Sequence, residues 1–267
     1  MHASFKKYTL YFALAFVAML SSCEKVLDLN LAQTEPKVVI EGIFTNLNTN
    51  HLVSLSYTRN FDEDNVRTPI SGALVTVTDE TGRVISFTEQ ASSGNYYSTR
   101  FRGVPGRTYT MSVTTKEQTY TATSKMPFPV PIRSLTQVEL SFFGETRKLV
   151  EVNYTDPINV ENFYYNKIYV NNIKRGSLNI SSDRFNDGKP VKDAVFVSDP
   201  DLQAGDKVKI QLLTIDENVY RYLFAISQIT GNGGPPTTPA NPKSNISNGA
   251  IGYFTASTIT TDSLIIK

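Results

Sequence analysis

Residues 107–125 read RTYTMSVTTKEQTYTATSK, and Tyr109, Met111 and Val113 alternate there with Thr108, Thr110 and Ser112. Successive side chains of an extended chain point to opposite faces, so a period of two marks a strand with one face on a core. Val104-Pro105-Gly106 turns the chain into this strand, and residues 118–124 resume the same character. The pattern extends upstream. Residues 37–44 and 51–58 read as a strand pair joined by a turn rich in asparagine (Asn46, Asn48, Asn50). Residues 73–78 and 83–88 flank Asp79-Glu80-Thr81-Gly82, a hairpin loop in which glycine supplies positive φ. Ser93-Gly94-Asn95 precedes a short strand at 96–99. About seven short strands over roughly ninety residues fit a β-sandwich.

Met126-Pro127-Phe128-Pro129-Val130-Pro131 interrupts the run, because prolines at alternate positions forbid helix and central strand and favour a stiff extended spacer. The expected organisation is therefore an N-terminal sandwich over 36–125, a Pro-rich linker over 126–131 and a C-terminal β-rich domain over 132–267. In that second part, Val208, Ile210 and Leu212 alternate with Lys207, Lys209 and Gln211, and 147–154, 163–173, 194–198, 252–257 and 263–266 read as further strands. One helix stands apart. Asp216 suits the N-cap and Glu217 the first turn, Val219, Tyr222, Leu223 and Ile226 recur at helical spacing, and Gly231 is a stop signal. Residues 231–248 read as a long loop poor in apolar side chains. The expected fold class is all-β, two sandwich domains of immunoglobulin-like or transthyretin-like type, the second with one α-helix.

The first residues predict a location. MHASFKKYTLYFALAFVAMLSSC places Lys6 and Lys7 before an uncharged, mostly apolar run from Tyr8 to Leu20. Thirteen residues suit the core of a secretory signal and fall short of the ~18 needed to span a bilayer. Leu20-Ser21-Ser22-Cys23 resembles a lipobox, with cleavage between Ser22 and Cys23 and lipid on the Cys23 thiol. Cys23 is the single cysteine, so no disulfide framework exists. Each buried methylene adds about 0.8 kcal/mol to membrane binding, so two or three acyl chains make attachment permanent. The following tether, 23–35, alternates Leu27, Leu29 and Leu31 with Asp28 and Asn30. Those leucines pack either on the protein's own first sheet or on a partner. The twelve residues after Cys23, 24–35, reach at most about 40 Å when extended, which keeps the body close to the membrane.

Charge and motif content exclude several functions. Without residues 1–22, 24 of the 26 Lys and Arg remain against 25 Asp and Glu, so no basic surface recommends nucleic acid. His51 is the one histidine beyond the signal segment and sits in a strand-like stretch. No nucleophile elbow, P-loop, HExxH or GxGxxG motif accompanies it, and a zinc site of histidines and cysteines cannot be assembled. No catalytic residue, cofactor or metal is expected. Carboxylates are the remaining catalytic material: Asp62-Glu63-Asp64, Asp183 with Asp187, and Asp199 with Asp201. Asp183-Arg184-Phe185-Asn186-Asp187-Gly188 faintly resembles a calcium loop but lacks its downstream acid. In Phe163-Tyr164-Tyr165 with Tyr169, the alternation leaves Tyr165 and Tyr169 as candidates for partner contact, against ordinary sheet packing.

Several segments in fixed order resemble a known family. They begin with Cys23-Glu24-Lys25-Val26-Leu27-Asp28-Leu29 and Glu35-Pro36-Lys37-Val38-Val39-Ile40-Glu41-Gly42. Ile70-Ser71-Gly72-Ala73, Gly103-Val104-Pro105-Gly106-Arg107-Thr108-Tyr109 and Tyr120-Thr121-Ala122-Thr123 follow, then Pro242-Lys243-Ser244-Asn245-Ile246 and Gly249-Ala250-Ile251-Gly252-Tyr253-Phe254. Together they resemble the Bacteroidota lipoprotein family called domain of unknown function 4249. The resemblance implies an outer-membrane lipoprotein, commonly encoded beside TonB-dependent receptors that import nutrients. It brings no catalytic residues. The expected function is a membrane-anchored, non-enzymatic accessory or binding subunit of such a receptor. A structural or adhesive envelope protein is the alternative, and a carboxylate-based hydrolase a further one. Which membrane face carries it stays open.

Overall fold

The structure, a computed structural model, describes residues 35–59, 66–142, 145–197, 200–230 and 242–267. Residues 36–267 form one compact unit. Its first half is a single rolled sheet. Strand β1 (Val38–Thr45) pairs antiparallel with β2 (Leu52–Tyr57), which carries the two-residue β3 (Thr68–Pro69) at its edge. From β2 the sheet continues through β6 (Asn95–Ser98), β5 (Val84–Glu89), β4 (Leu74–Asp79), β7 (Thr108–Thr114) and β8 (Thr119–Lys125). Alternation decides which side chains enter: Tyr109, Met111 and Val113 of β7 are each 0% exposed, and Tyr120, Ala122 and Ser124 of β8 are buried. Full burial of one such apolar side chain contributes about 1.5–3 kcal/mol.

The last strand joins the two halves. β16 (Ile251–Ile265) is fifteen residues long. Its first half runs parallel to β1, from Val39↔Ile251 to Thr45↔Ser257. Its second half pairs antiparallel with β15 (Lys207–Ile215). Just before it, Ile246 bridges Ala122, Ser247 donates its N–H to the Thr121 carbonyl at 2.8 Å, and Asn248 bonds the Thr119 carbonyl at 2.7 Å. The rolled sheet is thereby closed between β8 and the approach to β16. Where the sequence pattern assigned all of 132–267 to a second domain, Ile246, Ala250, Phe254 and Ala256 instead belong to the first core. The two short strands expected at 252–257 and 263–266 are one, because β-branched Thr258, Ile259, Thr260 and Thr261 between them keep an extended backbone while the strand changes partner.

The second half has three layers. β11 (Phe163–Val170) lies beside β15 and carries β12 (Ile173–Lys174) and β13 (Asn179–Ser182) at its outer edge. On one face a small sheet, β14 (Pro190–Val195), β10 (Glu145–Thr155) and β9 (Ser134–Phe142), encloses Val150, Val152, Tyr164, Ile168, Ile210 and Leu212. On the other face lies helix α1 (Glu217–Ile229), over Phe163, Tyr165, Leu213 and Ile215. Seven of the eight β11 residues are buried as a result. The strand expected over 163–173 breaks at Asn171 and Asn172, both with positive φ, which fold it into the β11–β12 hairpin. The Pro-rich stretch is pinned at both ends: Met126 is buried in the first core and Val130 in the second, with Phe128 exposed between them.

Helix α1 forms where the sequence places it. Asp216 is the N-cap and accepts the Val219 N–H at 3.1 Å, satisfying one of the free donors of the first turn. The Ser124 hydroxyl also donates to Asp216, and itself accepts the Ala256 N–H at 2.8 Å. That relay ties the helix start to β8 and β16. Burial raises the Asp216 carboxyl above the ordinary carboxylate range. Among the described residues no helix is long and apolar enough to cross a membrane.

Candidate functional site

The signal segment with Ser22 and Cys23, the tether leucines Leu27, Leu29 and Leu31, and Asp62-Glu63-Asp64 lie outside the described residues. His51 is described, and it is a structural residue. It is 2% exposed. Its Nδ1 accepts the Thr45 N–H at 3.3 Å, its Nε2 lies 2.9 Å from the Phe101 carbonyl, and its ring centroid is 4.4 Å from that of Phe44. Both ring nitrogens are occupied by backbone. Burial lowers its pKa, which favours the neutral tautomer with the proton on Nε2 that this pair of bonds requires. No lone pair is left for a general base.

The carboxylates gather more than the sequence suggested. Asp183 and Asp187 are joined by Asp156, at the end of β10, with ligand oxygens all within 4.8 Å. Asp156 and Asp183 are buried and Asp187 is exposed. The downstream acid missing from the loop is replaced by an upstream one, which spacing within the loop could not reveal. Three hard oxygen donors are what a calcium ion prefers, although that ion takes ~6–8 of them. These donors already hold the protein together. Tyr164 donates its hydroxyl to Asp156, the Gly188 N–H reaches Asp156 at 3.3 Å, Asn162 N–H reaches Asp183 at 2.8 Å, and Asn159 N–H reaches Asp187 at 2.7 Å. The cluster staples residues 156–162 to the loop at 183–188. Burial is the main cause that raises the Asp156 pKa, with Asp183 and Asp187 adding to it.

The remaining candidate is a pocket of about 260 Å³ under α1. Tyr222, Leu223 and Ile226 of the helix form one wall, Tyr253 of β16 and Tyr165 of β11 another, and Leu178 closes the side. Glu41 of β1 and, four strands away in the sheet order, Lys174 of β12 with Arg175 after it complete the lining. Register explains the meeting. Glu41 is opposite Tyr253 in the parallel pair, on the face of β1 that does not enter the first core. Tyr165 shares the helix face of β11 with Phe163 by alternation. The Tyr222 and Tyr253 rings are 5.6 Å apart.

Electrostatics make this pocket two-sided. The Tyr165 hydroxyl is pushed up to about 12, by desolvation first and then by Tyr169 and Glu41. Desolvation followed by Glu41 also raises Tyr222 and Tyr253. Close behind Tyr165, Lys167 is 8% exposed, with its ammonium 5.5 Å from the Tyr165 ring. Burial, then Lys174, pulls its pKa down to about 8. Tyr165, expected as a partner contact, is thus a buried pocket residue. Tyr169 is half-buried under Lys209, whose ammonium is 4.3 Å from its ring, and its hydroxyl bonds Gln211 at 3.3 Å. Both follow from a strand covered on two faces. Glu41, Lys174, Tyr222 and Tyr253 gave no functional signal in the sequence. They come from four separate elements, and only the topology unites them.

No curated protein matches the chain. Among solved structures it is similar to the two fibronectin type III domain segment from chicken tenascin, at 15% identity over 67% of this chain and 90% of that one, with a TM-score of 0.22. A superposition that loose carries no argument about the site. The family model described as domain of unknown function, DUF4249, matches residues 24–263. With that match spanning both halves of the body and the pocket between them, the chain belongs to the DUF4249 family.

Proposed function

We propose that the protein is an outer-membrane lipoprotein, acylated on Cys23, that serves as a non-enzymatic binding subunit of a TonB-dependent receptor in nutrient uptake. The observation that carries this reading is the N-terminal sequence: Lys6 and Lys7, an apolar run of signal-core length, then Leu20-Ser21-Ser22-Cys23. Two features support a binding role over catalysis. His51 spends both ring nitrogens on backbone groups, and the Asp156, Asp183 and Asp187 carboxylates serve as loop staples. The pocket under α1 offers aromatic walls and charges of both signs, which suits recognition.

The test is fractionation followed by co-purification from native membranes in mild detergent. The wild-type chain is expected in the outer-membrane fraction with a receptor bound, and Cys23→Ser is expected to lose membrane attachment. A Cys23→Ser protein that still sediments with membranes would overturn the anchoring. Recovery of the anchored protein with other envelope components and no receptor would overturn the accessory role.

A further inference from the structure

From the charges and walls of the pocket under α1, we infer that it binds a small zwitterion of dipeptide size, with its ammonium at Glu41 and its carboxylate at Lys174 and Arg175. Glu41 makes no hydrogen bond or ion pair within the described residues, although it lies close enough to raise the pKa of three tyrosine hydroxyls. A carboxylate that shares a pocket with three tyrosine rings suits a bound ammonium group, which ring faces also attract. Lys174 is exposed and likewise has no ion pair, and Arg175 beside it has a buried Nε without a partner. Tyr165 is 7% exposed, lines the cavity, and its hydroxyl has no hydrogen-bond partner among the described residues. An unpaired hydroxyl on the cavity wall offers a polar ligand a hydrogen-bond partner.

Spacing fixes the size of the ligand. β1 and β12 are four steps apart in the sheet order, with β16, β15 and β11 between them. At about 4.8 Å per step the two backbones are separated by roughly 19 Å. Side chains of Glu and Lys reaching inward leave a gap of less than about 10 Å, the span of two or three extended residues. The volume of about 260 Å³ is below the ~300 Å³ at which ordinary ligand pockets begin, so the shorter of the two fits. Tyr222, Leu223, Ile226 and Leu178 give the body of the ligand an apolar or aromatic side chain to pack on. A single-sign ligand would leave one end of the pocket facing a like charge.

This ligand class deepens the binding role proposed above. Its test needs the purified detergent-solubilised protein alone, so receptor association and ligand binding can fail independently. Alanylphenylalanine, its C-terminal amide and its N-acetyl derivative are titrated calorimetrically into the protein. Saturable binding of the free dipeptide is expected, with each blocked form weaker by at least about tenfold, or ~1.4 kcal/mol. Glu41→Gln, an exposed and nearly isosteric change, is expected to abolish discrimination against the N-acetyl form and leave discrimination against the amide. Lys174→Ala is expected to do the reverse. Absence of saturable binding up to millimolar dipeptide overturns the inference, as do equal affinities for all three probes. An N-acetyl form that binds best marks an anion site, an amide that binds best marks a cation cage, and either result overturns the zwitterion.

Discussion

Gly252 sits where β16 meets β1 and has φ of +105°. A Cβ built there would stand 2.0 Å from the Ile40 carbonyl oxygen and 2.9 Å from the carbonyl carbon. Both atoms are backbone, so no rotamer change relieves the overlap. Gly252→Ala therefore pays twice. The left-handed backbone costs an L-residue about 1–3 kcal/mol. Separating the strands then loosens the parallel ladder, whose bonds contribute about 1 kcal/mol each, and exposes Ile40 and Phe254, both 0% exposed in the native packing. The expected loss is roughly 4–6 kcal/mol, a large part of the ~5–15 kcal/mol that holds an ordinary domain together. Gly82→Ala is the control: φ is +85° there, and nothing lies within 4 Å of the added carbon. It should cost only the backbone term, about 1–2 kcal/mol. Urea unfolding followed by far-ultraviolet circular dichroism measures both. If the two variants fall within about 1 kcal/mol of each other, the Ile40 carbonyl is not seated over Gly252 and the shared-strand topology is wrong.

Two further outcomes follow from buried charges. The Lys167 pKa is lowered from 10.5 to about 8, so its charging cost is fully present below pH 8 and fades as the pH rises toward 10.5. Lys167→Met should stabilise the protein at pH 7 by up to about 3 kcal/mol, at ~1.4 kcal/mol per pKa unit, with the gain shrinking by pH 10. A gain independent of pH would show that packing, not charge, is responsible. At Asp156, asparagine keeps an acceptor for the Tyr164 hydroxyl and removes one of three clustered negative charges, but its amide NH2 replaces the oxygen that accepts the Gly188 N–H, so Asp156→Asn should cost about 1–2 kcal/mol. Because burial raises this carboxyl above 3.8, its ionisation costs stability as the pH rises through the folded value, and asparagine should compare better at neutral pH than in acid. Asp156→Ala strands the Tyr164 hydroxyl and the Gly188 N–H and should cost roughly 2–4 kcal/mol in the same urea assay. Equal losses for the two substitutions would remove the stapling role.

What could be read from the sequence was local. Tyr109, Met111 and Val113 announce their strand because alternation needs no knowledge of the partner. Asp216 announces its helix because the cap bond to Val219 spans three residues. Asn171-Asn172 carried a turn signal of the same kind, since asparagine tolerates positive φ, but the apolar residues on either side masked it. The closing of the first core by Ile246 and Phe254 was illegible, because it depends on a parallel pairing with a strand some two hundred residues earlier. The pocket was illegible for the same reason. Tyr165 drew notice as one of several aromatics in a row, yet its partners Glu41 and Tyr222 lie far from it in the chain.

That non-local construction has a mechanical consequence. Glu41 stands on β1, the strand that directly follows the tether, while Lys174 stands on the hairpin at the opposite edge of the second half. β16 connects them, sending Phe254 and Ala256 into the first core and Tyr253 and Ile259 into the helix-covered layer. A ligand held by both charges therefore links a strand of the first half to a strand of the second, halves already joined by β16, by the Pro-rich stretch and by the Ser124–Asp216 relay. Ligand at a hundred times its dissociation constant adds about 2.7 kcal/mol to the stability of whatever unit it binds. If that unit is the whole body, a single unfolding transition must shift as one. A ligand that shifted only part of a split transition would place both of its charge contacts within one half, against the sheet order that sets Glu41 and Lys174 apart.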